Sequence, residues 1–350
     1  MKVLNLANGK IKRRSEEILT LPNSSLIDSY NRKLNYLRIS ITDRCNLKCM
    51  YCVPPDRIPK IPHKEILSYE EILRIVRVGV SLGVSKVRIT GGEPLVRKGV
   101  YDFLEQLTQI EGLLDVSLTT NGVLLKENIY KIKSTGIKRI NISLDTLNPK
   151  KFQKIAGYDC FDQIWKGIEL AQQIGFDPIK LNVVPLPGVN DDELTDFARL
   201  SFTHPFHIRF IEYMPMENLP MPTGRHLLAP EIKRRISILG ELIPVEKNTT
   251  DGPAERFKFE TALGEIGFIR PISRHFCNAC NRLRLTSSGQ LRLCLLSDSQ
   301  EDLKAALRKG CSDSQLAEIF VQAVRRKPSE HNLEADHPNK VSGQMCAIGG

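Results

Sequence analysis

The stretch Leu37-Arg-Ile-Ser-Ile-Thr42, followed at once by Asp43-Arg-Cys45-Asn-Leu-Lys-Cys49-Met-Tyr51-Cys52, decides the fold. Its first part is a short β-branched apolar run of the strand type, and its three cysteines fall in the loop directly behind that strand. Outward from here, similar runs recur at Lys86 to Thr90, Asp115 to Thr119, Arg139 to Leu144, Ile179 to Val184 and Ile208 to Tyr213. Longer amphipathic stretches lie between them: Ser68 to Leu82, Val100 to Gln109, Glu127 to Ser134, Phe161 to Gln173 and Asp191 to Leu200. Ser68 is the expected N-cap of the first helix, with Glu71 at the capping-box position. Strand and helix in alternation give βα units on a parallel sheet. Six such units fall short of the eight of a closed barrel, so the expected architecture is an α/β, open, partial (β/α)6 TIM-like barrel. Its site belongs at the C-terminal ends of the strands, where the cysteine loop lies.

After Met214 the texture changes to a Pro-rich loop reaching Gly224, hairpin signals around Leu263-Gly264 and Ser288-Gly289, and helical stretches at Gln300 to Lys309 and Ser314 to Arg326. We therefore divide the chain into an N-terminal extension (1–34), the partial barrel (35–214), a C-terminal module (215–327) and a polar tail (328–350) ending in Gly349-Gly350.

The 350 residues are 41% apolar and 26% charged, the profile of a soluble globular protein. No apolar run approaches the roughly 18 residues a spanning helix needs, and the expected location is the cytoplasm, with no membrane partner. Lys10, Lys12, Arg13 and Arg14 would suit a removed organelle peptide, against which stand Glu16, Glu17 and Asp28. A net charge of +10 favours an anionic partner. The positive residues are dispersed and there is 1 Trp for base stacking, which argues against nucleic acid and for a phosphorylated small molecule.

Of 9 cysteines, six cluster as Cys45, Cys49, Cys52 and Cys277, Cys280, Cys294, while Cys160, Cys311 and Cys346 are scattered and read as ordinary small side chains. In a cytosolic chain, clustering means metal or redox chemistry before disulfides. Three thiolates at fixed short spacing, without a fourth Cys or His nearby, suit an iron-sulfur cluster with one open iron where substrate binds. A structural zinc would want four closed ligands, and His63 is the sole histidine near the first set. In the second set His275, two residues before Cys277, is the natural zinc ligand; two incomplete sets in one chain favour a second cluster instead. Cys280, Arg282 and Arg284 share one parity of an alternating strand, so both guanidiniums face the thiolate's side and suit a bidentate grip on phosphate or a nucleobase edge.

The C-x3-C-x2-C motif, the aromatic Tyr51 before its third cysteine, and Gly91-Gly92-Glu93-Pro94 behind the second strand resemble the radical S-adenosylmethionine (SAM) enzymes. Phe276-Cys-Asn-Ala-Cys-Asn-Arg-Leu-Arg-Leu285, Cys294 and the terminal Gly-Gly make it resemble, within them, the GTP 3',8-cyclases of molybdenum cofactor biosynthesis, from about Asn35 onward. The resemblance implies two 4Fe-4S clusters, held by Cys45, Cys49, Cys52 and by Cys277, Cys280, Cys294. SAM bound at the first would yield a 5'-deoxyadenosyl radical that removes the ribose 3' hydrogen of GTP, and attack on guanine C8 would give 3',8-cyclo-7,8-dihydro-GTP. By matching motif, Tyr51, Gly92, Ser143 and Met214 would contact SAM, and Arg38, Arg88, Thr119, Lys180, Arg282 and Arg284 would line the GTP side. The tail would enter the active site. An electron donor, cyclic pyranopterin monophosphate synthase downstream and a homodimer are the implied partners. The rival readings are a radical SAM peptide-modifying enzyme and a zinc-stabilised nucleic-acid-binding module.

Overall fold

A computed structural model describes residues 25–52, 60–214, 226–246, 252–331 and 345–349. Six parallel strands come first: β1 (Tyr36–Ser40), β2 (Lys86–Thr90), β3 (Asp115–Thr120), β4 (Arg139–Ser143), β5 (Ile179–Val183) and β6 (His207–Ile211). Helices α1 (Tyr69–Ser81), α2 (Val100–Thr108), α3 (Leu125–Ser134), α4 (Pro149–Ala156), α5 (Phe161–Gln173) and α6 (Leu194–Thr203) connect them. The later chain adds α7 (Ala229–Ile236), β7 (Ile243–Pro244), β8 (Glu255–Lys258), β9 (Glu265–Ile269), β10 (Arg282–Leu285), β11 (Gln290–Arg292), β12 (Gln300–Asp302), α8 (Leu303–Arg308), α9 (Asp313–Arg325) and α10 (Met345–Ile348).

The strands form one sheet in the order β12-β11-β10-β1-β2-β3-β4-β5-β6-β9-β8-β7. A six-stranded partial barrel would leave bare backbone donors and acceptors on both edges. Here the C-terminal stretch covers both: β10 pairs in parallel with β1, and β9 with β6. The parallel region is thus wider than the six strands expected from the sequence, because the two added strands are contributed from far downstream and follow no βα repeat.

Alternation along each strand separates core from cavity. Leu37, Ile39, Val87, Ile89, Leu118, Ile140, Leu181 and Phe210 are buried against the helical layer, each worth roughly 1.5–3 kcal/mol of transfer free energy. The other parity turns inward and is polar. Helix α1 carries the expected capping box, Ser68 accepting from the Glu71 amide and Glu71 from the Ser68 amide.

Three local expectations change. Gln300–Asp302 is strand rather than helix, because its backbone pairs with β11 and Asp302 then caps the helix by accepting from the Ala305 amide. Helix α6 starts at Leu194, not Asp191, since Asp191 and Asn190 fold residues 186–193 into turns by accepting from the Gly188 and Leu186 amides. Helix α4 was not foreseen; Asn148 caps it and Pro149 occupies its first turn. The end of the N-terminal extension packs onto the barrel, with Leu26 and Leu34 buried and an Ile27–Lys33 bridge between them. Most of the Pro-rich loop lies outside the described residues.

Candidate active site

One cavity at the C-terminal ends of the strands gathers both cysteine sets. Cys45, Cys49 and Cys52 line one part of it together with Tyr51, Gly92, Ser143 and Met214. Cys277, Cys280 and Cys294 line another, with Arg282 and Arg284, and Arg38, Arg88 and Thr119 also face it. Lys180 does not line it. It lies two residues before Asn182, which does, on the same strand, and close enough to Arg209 and Arg88 to feel their charge.

The loop holding the first set is locked to the neighbouring strand ends. The Gly92 amide donates to the Thr42 carbonyl (2.7 Å) and the Glu93 amide to that of Arg44 (2.8 Å). A Cβ at Gly92 would lie 2.2 Å from the Arg44 oxygen, so this glycine is required for loop-on-loop packing, whereas the sequence suggested only approach to a ligand. Glu93 is fully buried and its carboxylate accepts from Leu95 N, Thr120 Oγ1 and Asn121 N; burial pushes it up to about 7. Tyr51 donates its hydroxyl to Asp145 Oδ2 at 2.6 Å, and Asp145 Oδ1 accepts from Val184 N. Asp145 is therefore the anchor of Tyr51, with its carboxyl pushed by burial up to about 6.

Burial raises all three thiols of the first set, and the Cys49 thiol is raised further by Cys52, Asp145 and Cys45. Three crowded thiols that resist ionising alone fit a bound cationic metal centre, which supplies the charge that would stabilise thiolates. Cys346 also faces this cavity; it is buried and its thiol is pushed up to about 11.

The inward face of the sheet is strongly basic. Paired in register are Tyr36 with Lys86 and Arg282, Arg38 with Arg88 and Arg284, and Asn182 with Arg209. Asp115 bridges Lys86 and Arg139, and Glu265 takes Arg256 and His207. Burial, with Arg209 and Arg139 beside it, pulls Lys180 down to about 6; burial pulls Lys86 to about 8. Burial alone would push the Tyr36 phenol up, but Arg88, Arg38, Lys86 and Arg282 outweigh it and bring it to about 8. Tyr36 Oη, Thr119 Oγ1 and Asn182 Oδ1 are buried at this cavity without a hydrogen-bond partner among the described residues. Unpaired polar atoms among desolvated cations call for a polar, anionic ligand. Lys86, Arg209 and Tyr36 were missed in the sequence, although Lys86 shares its strand parity with Arg88.

At the second set, burial would raise the Cys280 thiol, but Arg282 and Lys327 overcome it and bring it to about 7. His275, Cys277 and His331 place their ligand atoms within 4.8 Å of one another, the two rings stacked at 4.2 Å. The tail enters the same space: Arg284 Nη1 donates to the Gly349 carbonyl at 2.5 Å, and Gly349 has φ +81° with Thr90 Cγ2 2.6 Å from where a Cβ would sit. Gly350 lies outside the described residues.

Residues 39–201 match the Radical SAM superfamily and residues 206–333 match Molybdenum Cofactor Synthesis C. A GTP 3',8-cyclase of Desulforamulus reducens is 47% identical over 311 residues, 88% of this chain and 96% of that protein. The GTP 3',8-cyclase of Thermodesulfovibrio yellowstonii is 48% identical over 328 residues, 92% of this chain and 99% of that protein. The chain belongs to the GTP 3',8-cyclase family. Membership brings a radical SAM domain, hence SAM and an iron-sulfur cluster. Among solved structures, Streptococcus suis SuiB bound to S-adenosylmethionine aligns with TM-score 0.60 at 16% identity, covering 85% of this chain and 69% of that one. That likeness concerns the fold. No helix among the described residues is long and apolar enough to cross a membrane.

Proposed function

We infer that this family member is a radical SAM enzyme converting GTP to 3',8-cyclo-7,8-dihydro-GTP, the first step of molybdenum cofactor biosynthesis. The observation that carries it is the single cavity, with one three-cysteine set among acidic groups and a second beside a basic wall. Cys45, Cys49 and Cys52 hold the first cluster, and Cys277, Cys280 and Cys294 a second. Bound together, the first cluster and SAM supply the one-electron chemistry that removes the ribose 3' hydrogen. Tyr51, Gly92, Ser143 and Met214 contact SAM. Arg38, Arg88, Thr119, Arg282 and Arg284, joined by Arg209, grip GTP, while Lys180 and Lys86, set behind the cavity lining, add positive charge that helps offset the triphosphate. Asp145 fixes Tyr51, and the tail at Gly349 excludes water beside Arg284. An external electron donor is needed because reductive cleavage of SAM consumes an electron that must be returned to the first cluster. The product passes to cyclic pyranopterin monophosphate synthase in the cytoplasm.

The test is anaerobic reconstitution followed by SAM, reductant and each nucleoside triphosphate separately. Only GTP should give 5'-deoxyadenosine together with a cyclised nucleotide; equal turnover of all four would exclude the assignment. The His275, Cys277 and His331 trio favours a second reading, zinc at the second set. Metal and acid-labile sulfide analysis of a protein lacking the first three cysteines separates the two.

A further inference from the structure

The cysteines of the second set sit on irregular backbone. One turn of 3-10 helix, Cys277–Ala279, is the only regular structure carrying any of them. Short helical turns of this kind are weakly held on their own. Two buried cations grip backbone carbonyls at Cys277, two residues past Cys280 and immediately before Cys294.

The first is Arg32. Its partner Asp28 accepts through Oδ1 from the Tyr30 and Arg32 amides, both at 2.9 Å, and through Oδ2 from Arg32 Nε at 2.6 Å. Both side chains of this pair are almost wholly buried. Asn31 completes the tight turn between them at φ +61°, a conformation Asn adopts more readily than most residues. With Nε fixed, the fork points outward: Nη1 donates to the carbonyls of Cys277 and Ser329, each at 2.7 Å, and Nη2 to that of Pro328 at 2.5 Å. The second cation is Lys327, next in sequence to those carbonyls. Its ammonium donates to the carbonyl of Arg282 at 3.1 Å and to that of Leu293, the residue before Cys294.

We propose that Arg32 and Lys327 are positioning residues of the second cysteine site, a two-jawed clamp that fixes its three sulfurs and balances their charge. The end of the N-terminal extension then serves as part of the active-site scaffold, acting through backbone carbonyls rather than touching substrate. The inference rests on reading the second set as a metal-cluster site. A physical consideration favours clamp over packing. Burying Lys327 against carbonyls, with no carboxylate partner among the described residues, is costly unless an anion lies nearby. The sulfurs of Cys280 and Cys294 lie within electrostatic reach of its ammonium, as do the cations of Arg32 and Arg282, so an anionic centre held by these cysteines would balance several buried positive charges at once. Positive charge next to an iron-sulfur centre also favours the reduced form.

The experiment uses the full chain with Cys45, Cys49 and Cys52 all changed to Ser, so that iron and sulfide load only the second set. Into it go Arg32→Ala, Lys327→Met, Lys327→Arg and, as reference, Cys277→Ser. Iron and labile sulfide per chain, the electron paramagnetic resonance signal, the reduction midpoint and the thermal midpoint are read for each. Arg32→Ala and Lys327→Met should each lose at least half of the iron or shift the signal, Lys327→Met should lower the reduction midpoint, and Lys327→Arg should restore both. In the chain with its first set intact, the same two variants should keep first-site iron and SAM cleavage. If Cys277→Ser loses iron while both clamp variants keep iron, signal and midpoint, the clamp alone is refuted. If Cys277→Ser also keeps its iron, the cluster reading falls and the clamp with it. Loss of iron from both sites in step with a fallen thermal midpoint would make these residues ordinary packing and likewise overturn the proposal.

Discussion

The two cysteine sets have the same number of thiols and opposite surroundings. Around the first, Glu93 and Asp145 add negative charge to buried thiols, and every thiol is raised. Around the second, Arg282, Lys327 and Arg32 add positive charge: Cys280 is pulled down to about 7, although burial still raises the Cys277 thiol. Ligand count alone does not define a metal site; the field around it sets what the bound centre will do. An acidic setting makes the first site harder to reduce and a stronger electron donor once reduced. A basic setting suits the second to binding an anionic substrate.

The largest expected effect separates the two outright. Cys49→Ser should abolish SAM cleavage, while Cys280→Ser should retain first-site iron and uncoupled 5'-deoxyadenosine formation but form no cyclised product. Full 5'-deoxyadenosine production in Cys49→Ser would reverse the assignment of the sites. Next come the arginines of the basic wall. Arg282→Ala or Arg284→Ala should weaken GTP binding by about 1.5–3 kcal/mol for one lost charge-assisted contact, with SAM affinity unchanged by calorimetry. Unaltered GTP affinity in both would leave the wall without a ligand.

Gly349→Ala tests whether the tail belongs to the site. A side chain at φ +81° costs about 1–2 kcal/mol before the clash with Thr90 is counted. Cyclised product should fall at least tenfold with both sites keeping their iron, measured by product yield against iron content. Wild-type yield would return this segment to an ordinary chain end.

A proton-linked effect follows from Lys180, which lies far below its unfolded value at about 6. Between pH 6 and the ordinary lysine range the unfolded chain binds this proton and the folded chain does not, so its burial costs stability that is recovered as pH rises. A triphosphate bound in the adjoining cavity favours the charged form through its field, so binding takes up protons and affinity falls with rising pH, by at most about tenfold per unit for one proton. Calorimetry in buffers of different ionisation enthalpy measures the uptake, and Lys180→Met should remove it; an uptake surviving that change would point elsewhere. Smallest is Tyr51→Phe, which deletes one hydrogen bond to Asp145 and should cost about 0.5–1.5 kcal/mol in SAM affinity. A larger loss than Asp145→Asn produces would show that Tyr51 acts by itself.

Much of this was legible before any coordinates. The bounds Lys86–Thr90 follow from a β-branched run between turn signals, and the start of α1 from Ser68 and Glu71, because both depend on neighbours in the chain. The parity of Arg282 and Arg284 is likewise local, and the structure lines the cavity with both. Lys327 and Arg32 were illegible: each acts on carbonyls contributed by distant residues, and a carbonyl carries no sequence signature. The strand Gln300–Asp302 was hidden for the same reason, since its pairing with β11 overrode a helix-compatible composition.

The sequence by itself therefore determined the βα alternation, the two cysteine sets and the basic residues beside them. These are matters of spacing and side-chain chemistry, which the covalent chain fixes. Only the tertiary structure decided that β9 and β10 complete opposite edges of one sheet, that the two sets share a cavity, and that one is ringed by acids and the other by bases. Those outcomes depend on which distant groups must be buried together to satisfy unpaired backbone and unbalanced charge, a condition met only when the whole chain has folded.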